Sequence, residues 1–141
     1  MRFRPSARAR ARWLAAALLA APAPLLGASP VLAGAPAPDG PVGSYVLRVT
    51  PEDGTGSTGA TLTCGPDGGT HPNAKEACDQ LRRVAGQVER IPENPGPCTL
   101  EYAPVRLTAT GTWRGRQQRF AKTYPNRCAA IRGTGGVLFA F

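Results

Sequence analysis

Apolar and polar residues alternate over several short stretches of the chain. Tyr-Val-Leu-Arg-Val at 45–49 and the stretch 60–64 flank a turn-rich cluster at 51–59. Successive side chains of a strand point to opposite faces, so this spacing predicts two half-buried strands joined as a hairpin. A third alternation over 105–113 and a polar return over 116–124 predict a second hairpin, whose last strand lies at an edge of the sheet.

The period of the pattern changes after the Gly-rich turn at 65–69. Thr70 or His71 is predicted to cap a helix whose first residue is Pro72, a position where the missing N–H of proline costs nothing. The apolar residues of this segment recur at helical spacing; they are Cys78, Leu81, Ala85 and Val88. The pattern therefore predicts a helix that packs one face on the sheet.

Two further elements are predicted in the last part of the chain. Residues 125–131 favour a helical turn, and the apolar run 137–141 after Gly135-Gly136 favours a terminal strand. About five short strands and one or two helices define an α+β domain built on an antiparallel sheet.

The distribution of charge divides the chain into a leader and a domain. The 141 residues carry 17 Lys and Arg against 9 Asp and Glu, a net charge of +8, yet no acid precedes Asp39. A basic start, an apolar run from Trp13 to Ala21 and the small-residue site Val31-Leu32-Ala33 form the pattern of a secretory signal peptide. We expect a leader at 1–33, a flexible Pro/Gly-rich lead-in at 34–44 and a domain at 45–141. The apolar run is far shorter than the roughly 20 residues that span a bilayer, so a secreted protein with no membrane anchor is expected after cleavage.

Removal of the leader changes which partners the charge favours. Residues 34–141 hold 12 cations and 9 anions, a net charge of +3. A strongly basic chain would indicate nucleic acid or a membrane surface as partner, and this nearly balanced domain indicates neither. An antimicrobial domain would need a basic amphipathic face, which the mixed charges of the predicted helix do not supply.

Four cysteines lie in the predicted domain and none in the leader: Cys64, Cys78, Cys98 and Cys128. An even number in a small exported chain predicts two disulfides, for which spacing alone leaves three possible connectivities. A metal site is not expected, because no pair has the C-x2-C spacing and His71 is the only histidine.

The sequence offers little for catalysis. The run at 54–59 matches G-x-G-x-x-G, but a strand follows it where a nucleotide-binding helix would be required. Residues 34–141 contain one histidine and the two serines Ser44 and Ser57, both in Gly-rich surroundings, which argues against a serine-nucleophile triad. We therefore expect a protein that is not an enzyme and that needs no cofactor.

One segment has the properties of a ligand. Prolines at 92, 95 and 97 stiffen an approach to Cys98, after which Thr99, Leu100, Glu101 and Tyr102 follow in extended form. An extended loop fixed by a disulfide loses little further entropy on binding, and a protease cleft accepts such a backbone with one side chain in its specificity pocket. The alternative is that Leu100 begins a buried strand.

Several motifs occur in one order along the chain. They are Leu62-Thr63-Cys64, Gly69-Thr70-His71-Pro72, Ala77-Cys78, Cys98-Thr99-Leu100-Glu101-Tyr102-Ala103-Pro104-Val105, Gly111-Thr112-Trp113-Arg114-Gly115, Tyr124-Pro125-Asn126-Arg127-Cys128 and Val137-Leu138-Phe139-Ala140-Phe141. Through them most of residues 45–141 resembles the Streptomyces subtilisin inhibitor family of secreted serine protease inhibitors. The resemblance implies a five-stranded antiparallel sheet with two helices packed on it, disulfides Cys64–Cys78 and Cys98–Cys128, and a homodimer formed through the sheet.

The same resemblance implies where a protease would bind. The reactive bond would join Leu100 to Glu101, with Leu100 entering the specificity pocket of an extracellular subtilisin-like or chymotrypsin-like enzyme. Other residues of the loop would make the extended contact; they are Pro97, Cys98, Thr99 and Tyr102. Asn126 matches a position that supports the loop from behind by hydrogen bonds. Two alternatives remain open from the residues: a secreted interaction module on the same fold without inhibitory activity, and an inhibitor of another protease class.

Overall fold

The computed structural model describes residues 40–141. The predicted leader at 1–33 and the first part of the predicted lead-in, 34–39, lie outside the described residues. The strands are β1 (Gly43–Pro51), β2 (Thr58–Cys64), β3 (Gly68–Gly69), β4 (Val105–Trp113) and β5 (Arg116–Tyr124); the helices are α1 (Ala74–Arg83) and α2 (Arg127–Arg132), with a 3-10 turn at Val88–Arg90. Gly43 and Ser44 thus belong to β1 rather than to the lead-in.

The five strands form one antiparallel sheet in the order β3-β2-β1-β4-β5. β1 is the central strand, paired with β2 and β4, and its alternating residues Tyr45, Leu47 and Val49 are almost fully buried on one side. Leu47 lies opposite Ala60 on β2 and Ala109 on β4, so the inner faces of three strands are in register. The polar sequence of β5 places it at the edge, as predicted.

The helices cover one face of this sheet. α1 contacts β2 and β3, and its buried residues Ala77, Cys78 and Leu81 face the core. α2 contacts β4 and β5, at the opposite end of the strand order from β2 and β3. Burial of these apolar surfaces against the sheet supplies the main stabilisation of a small domain.

Both disulfides join the pairs that the resemblance implies. Cys64 at the end of β2 is bonded to Cys78 on α1, and Cys98 is bonded to Cys128 on α2. Each bond ties a helix to a neighbouring segment of chain. The described residues contain no free cysteine.

The start of α1 differs from the prediction. The N-cap is Asn73 rather than Thr70 or His71, and the first helical residue is Ala74. Thr70 is occupied otherwise, because its hydroxyl accepts from the backbone N–H of Thr61 at 2.9 Å. His71 points into the core, where it is 4% exposed.

The predicted terminal strand at 137–141 is wrong. The segment continues as turns after α2, with Gly135 and Gly136 at φ values of +82° and +87°. Leu138 and Phe139 are both fully buried although they are adjacent, which a strand with one core face does not allow. The tail fills the core as an irregular segment instead. No helix among residues 40–141 has the length and apolar character needed to cross a membrane.

Candidate functional site

The segment between Ile91 and β4 has no regular secondary structure and is largely exposed. Its three prolines cannot donate to a sheet and fix their φ angles, so the segment stays an extended loop. The side chain of Leu100 is 101% exposed and that of Tyr102 is 80% exposed. Leu100 and Tyr102 thus present two large side chains to solvent from one loop, and such loops on a rigid scaffold commonly bind partners.

Asn126 holds the backbone on both sides of Leu100. Its Nδ2 donates to the carbonyl oxygens of Thr99 at 3.1 Å and of Glu101 at 2.9 Å. Its Oδ1 accepts from the backbone N–H of Ala129 at 2.8 Å and so caps α2. The amide is 7% exposed and therefore acts in a site from which water is largely excluded. One buried side chain thus fixes the loop to the first turn of the helix.

Further contacts hold the loop before and after this point. Upstream, the disulfide joins Cys98 to α2. Downstream, Ala103 N–H donates to the carbonyl of Pro125 at 2.9 Å, and Glu52 N–H donates to the carbonyl of Pro104 at 2.9 Å. The segment from 98 to 104 is therefore fixed at both ends, with Leu100 free between them.

Arg132 is a loop contact that the sequence did not reveal. Its Nη1 donates to the carbonyl oxygen of Pro95 at 3.1 Å and lies 3.4 Å from that of Asn94. The N–H of Asn94 in turn donates to the carbonyl of Arg132 at 2.8 Å. The guanidinium packs so closely on Gly96 that a Cβ there would lie 2.1 Å from Nη1. The only signals in the sequence are an arginine at the end of the helical turn and a glycine between two prolines.

A groove of about 610 Å³ opens beside the downstream part of the loop. One side comes from the end of β1 and the turn that follows it, between Val49 and Thr58. The other side includes Glu101, Tyr102 and Arg127. The residues after Leu100 therefore face open space that a partner can enter.

The predicted site residues come together on this one face. Leu100, Glu101 and Tyr102 are exposed, Thr99 and Glu101 are bonded to Asn126, and Cys98 joins the loop to α2. Pro97 is exposed immediately before the disulfide. The second disulfide, Cys64–Cys78, stabilises α1 and lies outside the loop.

Both ring nitrogens of His71 form hydrogen bonds within the domain. Its Nδ1 accepts from the N–H of Asn73 at 3.0 Å, so the proton resides on Nε2, which donates to the carbonyl of Leu138 at 3.1 Å. Neither nitrogen is available to activate a nucleophile, and Ser57 contacts Thr50 rather than the histidine. The described residues thus provide no serine-histidine pair.

Among residues 40–141, three carboxyl groups have a lowered pKa: Asp53 in the turn after β1, Asp67 in the turn between β2 and β3, and Asp79 on α1. A hydrogen bond from Arg82 lowers the pKa of Asp67, and one from Lys75 lowers the pKa of Asp79. Asp67 and Asp79 are partners in surface ion pairs and Asp53 accepts hydrogen bonds from Thr55, so these groups do not form an acid–base centre. Asp67 also lies within 4.8 Å of the sulfurs of Cys64 and Cys78, but those sulfurs form a disulfide and present no thiolate to a metal.

The fold and the site define a small disulfide-linked domain that presents a fixed, extended peptide with an exposed leucine. Residues 44–126 match the family described as subtilisin inhibitor-like. The chain belongs to this family.

Two relatives show how far the similarity extends. Subtilisin inhibitor-like protein 2 of Streptomyces rochei is 43% identical over 79 residues, which are 55% of this chain and 70% of that protein. The subtilase-type protease inhibitor of Streptomyces coelicolor is 38% identical over 141 residues, covering 92% of this chain and 97% of that one.

A solved structure also resembles the chain. It is the crystal structure of Streptomyces caespitosus sermetstatin in complex with Bacillus licheniformis subtilisin, matched with a TM-score of 0.58 and 29% sequence identity. The match covers 70% of this chain and 98% of the other. The described domain thus corresponds to nearly the whole of that chain.

Proposed function

We propose that this protein is a substrate-like inhibitor of subtilisin-type serine proteases, with Leu100–Glu101 as its reactive bond. The observation that carries the proposal is the fully exposed Leu100 between two carbonyls that Asn126 holds in place. Family membership and the subtilisin complex of a similar protein support the same target class. Pro97, Cys98, Thr99 and Tyr102 would form the extended contact on either side.

The fixed loop explains how a substrate becomes an inhibitor. The protease serine adds to the Leu100 carbonyl carbon, the bond to the Glu101 nitrogen breaks, and the protease histidine gives the new amine its proton. Glu101 stays in place because its carbonyl oxygen accepts a hydrogen bond from Asn126. The N–H of Ala103 also donates a hydrogen bond to the carbonyl of Pro125. The amine remains within reach of the acyl carbon, so the bond reforms with a high effective molarity and hydrolysis is slow.

The side chain at position 100 selects the protease. Leu100 fits a deep apolar pocket, as subtilisin-like and chymotrypsin-like enzymes provide. It offers nothing to the acidic pocket of a trypsin-like enzyme, whose buried carboxylate would lose solvent without gaining a partner. We therefore expect inhibition of both subtilisin and chymotrypsin, and little inhibition of trypsin.

The test titrates the three proteases with the protein and with Leu100→Arg and Leu100→Met. The methionine variant keeps an apolar side chain of similar size and should still inhibit subtilisin, whereas the arginine variant should gain trypsin inhibition. Because the side chain at 100 makes no intramolecular contact, all three proteins should melt at the same temperature. Failure of the parent protein to inhibit subtilisin at micromolar concentration would refute the proposal, and unchanged preferences in Leu100→Arg would place the reactive bond elsewhere.

We also propose that the protein is exported, with residues 1–33 as the leader and a flexible segment before β1. The support is the order of basic, apolar and small residues at the start of the sequence. Mass spectrometry of the protein released by an expressing culture tests this. Loss of residues 1–33 is the expected result, and retention of the leader on a cell-associated protein would contradict it.

A homodimer formed through the sheet is a further part of the proposal. α1 and α2 both pack on the inner face, and among the described residues no helix covers the outer face. Val46 lies at its centre on β1, 44% exposed, opposite Thr61 and Thr110. An apolar residue on a flat, mainly Ser/Thr face suits a two-fold contact with a second copy.

A further inference from the structure

A second cavity lies at the end of the sheet away from the loop. It has a volume of about 610 Å³, and its lining includes Arg82, Gln87, Trp113, Arg114, Arg116 and Gln118. Val105, where β4 begins beside the loop, and Trp113, where it ends, are separated by eight strand steps or about 27 Å. A ligand at this cavity would therefore leave the loop accessible.

The charges around the cavity are positive and incompletely paired. No acidic residue lines it. Arg82 is bonded to Asp67 and Asp79, whereas Arg114 and Arg116 make no ion pair or side-chain hydrogen bond within residues 40–141. The glutamines at 87 and 118 add amide donors. The lining thus offers several donors, and carboxylates of the described residues compete only for Arg82.

The last part of the sequence, which forms β4, β5 and α2, contains no acidic residue, although Glu52 reaches Thr123 on β5. Residues 102–141 contain no Asp or Glu and seven cations, which are Arg106, Arg114, Arg116, Arg119, Lys122, Arg127 and Arg132. β4, β5 and α2 therefore carry a positive potential, while the acids belong to the first part of the domain and to the loop. Such an asymmetry between two halves of a chain indicates an anionic partner.

The backbone at the cavity is strained. Ala85 and Arg114 are the two non-glycine residues within 40–141 that have positive φ, at 52° and 47°, and both line this cavity. Arg114-Gly115 forms the tight turn between β4 and β5, where asparagine or glycine would adopt the left-handed conformation more easily. Arg114 therefore adopts its conformation at an energetic cost, and strained residues concentrate at functional sites.

We propose that this cavity binds a phosphate group. The two lining guanidinium groups without an ion pair to the described residues, Arg114 and Arg116, match a doubly charged ion better than a singly charged one, and their planar forks suit a group with several oxygens. A phosphate monoester provides three oxygens and close to two charges at neutral pH, whereas a carboxylate provides two oxygens and one charge. Free phosphate and the terminal phosphate group of an extracellular polymer share this chemistry.

Trp113 gives a direct optical signal for binding. The chain has two tryptophans, Trp13 in the predicted leader and Trp113 in the cavity lining. In a Trp13→Phe background Trp113 is the only tryptophan, whether or not the leader is removed. The test titrates this protein with inorganic phosphate, tripolyphosphate and citrate at constant ionic strength and follows the fluorescence of Trp113.

The expected result is a saturable change with tripolyphosphate that weakens at least about tenfold in Arg114→Gln/Arg116→Gln, because hydrogen bonds between charged groups are lost. Arg90→Gln/Lys122→Gln removes the same charge from exposed positions outside the cavity and should bind nearly as the parent does. Arg116→Gln alone should give an intermediate affinity and avoids any change at the strained turn. Subtilisin inhibition should be equal in all these variants, so the result is independent of the proposed function.

Three outcomes would overturn the proposal. They are a response no larger than that to sodium chloride, equal weakening by the control pair, and citrate binding as tightly as tripolyphosphate, which would favour a carboxylate ligand. Equal affinity for inorganic phosphate and tripolyphosphate would identify free phosphate as the ligand. Affinity that rises with chain length would identify a phosphate polymer.

Discussion

Asn126 connects a helix and a loop through a single side-chain amide. Its oxygen caps α2, while its nitrogen donates to the carbonyls on both sides of Leu100. The oxygen and the nitrogen therefore have separable tasks, one in the fold and one in the site. A substitution that changes only the nitrogen can distinguish them.

Asn126→Asp is that substitution. The carboxylate still accepts from Ala129 N–H and caps the helix, but it cannot donate to Thr99 or Glu101. We expect subtilisin inhibition to weaken about 10- to 100-fold, the equivalent of two lost hydrogen bonds, and hydrolysis at Leu100–Glu101 to accelerate. Inhibition constants and chromatography of the cleaved chain measure the two effects.

Asn126→Ala serves as the comparison because it loses the cap as well. It should lower the melting temperature more than Asn126→Asp does, while the loss of inhibition is similar. If Asn126→Asp inhibited as tightly as the parent, the bonds to Thr99 and Glu101 would have no part in inhibition.

Tyr45 is the residue whose titration should limit stability in alkali. Its hydroxyl is buried and donates to the carbonyl of Gly86 at 2.7 Å. Burial, with a smaller contribution from the charge of Glu89, raises the pKa of Tyr45 from 10.0 to about 12. The folded protein therefore favours the neutral phenol of Tyr45 over the phenolate.

The sign of the effect follows from proton binding. Above pH 10 the unfolded chain releases this proton while the folded protein retains it, so the free energy of unfolding falls with rising pH until about pH 12. The contribution of Tyr45 is fully present below pH 10, and its slope is at most about 1.4 kcal/mol per pH unit. Tyr45→Phe should lower stability at pH 7 and flatten the decline between pH 10 and 12, as urea unfolding at several pH values would show. A decline of equal steepness in the variant would assign it to other groups.

At the scale of elements, α2 organises the loop although it has only six residues. Its N-cap, its second residue and its last residue are Asn126, Cys128 and Arg132, and each contacts a different part of the loop. The helix has little stability of its own at this length, so the disulfide and the packing of Ala130 in the core keep it in place. Loop and helix therefore stabilise each other.

This arrangement gives a prediction for Arg132→Ala. The contacts to the carbonyls of Asn94 and Pro95 disappear, and the approach to Cys98 regains freedom that must be lost on binding. We expect about 3- to 10-fold weaker inhibition of subtilisin with a small change in melting temperature. The loss should appear mainly as faster dissociation, which surface plasmon resonance measures.

Arg90→Ala is a suitable control because Arg90 is exposed and lies ahead of the loop. It removes the same charge and should leave inhibition unchanged. Equal effects of the two variants would show that charge, and not the contacts of Arg132, controls affinity.

The elements also show what sequence patterns can and cannot predict. The alternation in β1 and β4 and the polar edge strand β5 follow from local sequence, because each strand has one core face and one outer face. The tail does not, because its adjacent residues Leu138 and Phe139 enter the core from a turn. Local periodicity has no signal for such a segment.

The candidate site, too, is predictable from the sequence only in part. The exposed loop follows from its prolines, and Asn126 entered through a family resemblance rather than through spacing. The contact of Arg132 with Pro95 joins residues 37 positions apart, and no local pattern in a single sequence indicates that two such distant residues are in contact. Contacts of this range depend on how α2 packs against the sheet.

At the scale of the whole molecule, the outer face of the sheet gives the remaining prediction. Val46→Arg places a charge at the centre of the proposed dimer contact. In a two-fold contact the same charge on the second copy lies nearby, and the two like charges repel each other. We expect the protein to change from dimer to monomer at micromolar concentration in analytical ultracentrifugation. The monomer should still fold, because Val46 is 44% exposed and contributes little to the core.

Val46→Ile is the matched control, since it retains an apolar β-branched side chain and should retain the dimer. Subtilisin inhibition should persist in Val46→Arg, because the outer face lies apart from the loop. A parent protein that sediments as a monomer would refute the dimer, and a Val46→Arg dimer would place the contact on another surface.

The complete exposure of Leu100 has a consequence for how such a protein changes over generations. A residue without intramolecular contacts can mutate without a folding penalty, so at the proposed reactive bond selection by a new protease would act on this codon almost alone. Most binding sites must balance each adaptive change against lost stability. Here the scaffold tolerates any side chain at position 100, and lineages that share the fold are free to diverge rapidly in the enzymes they resist.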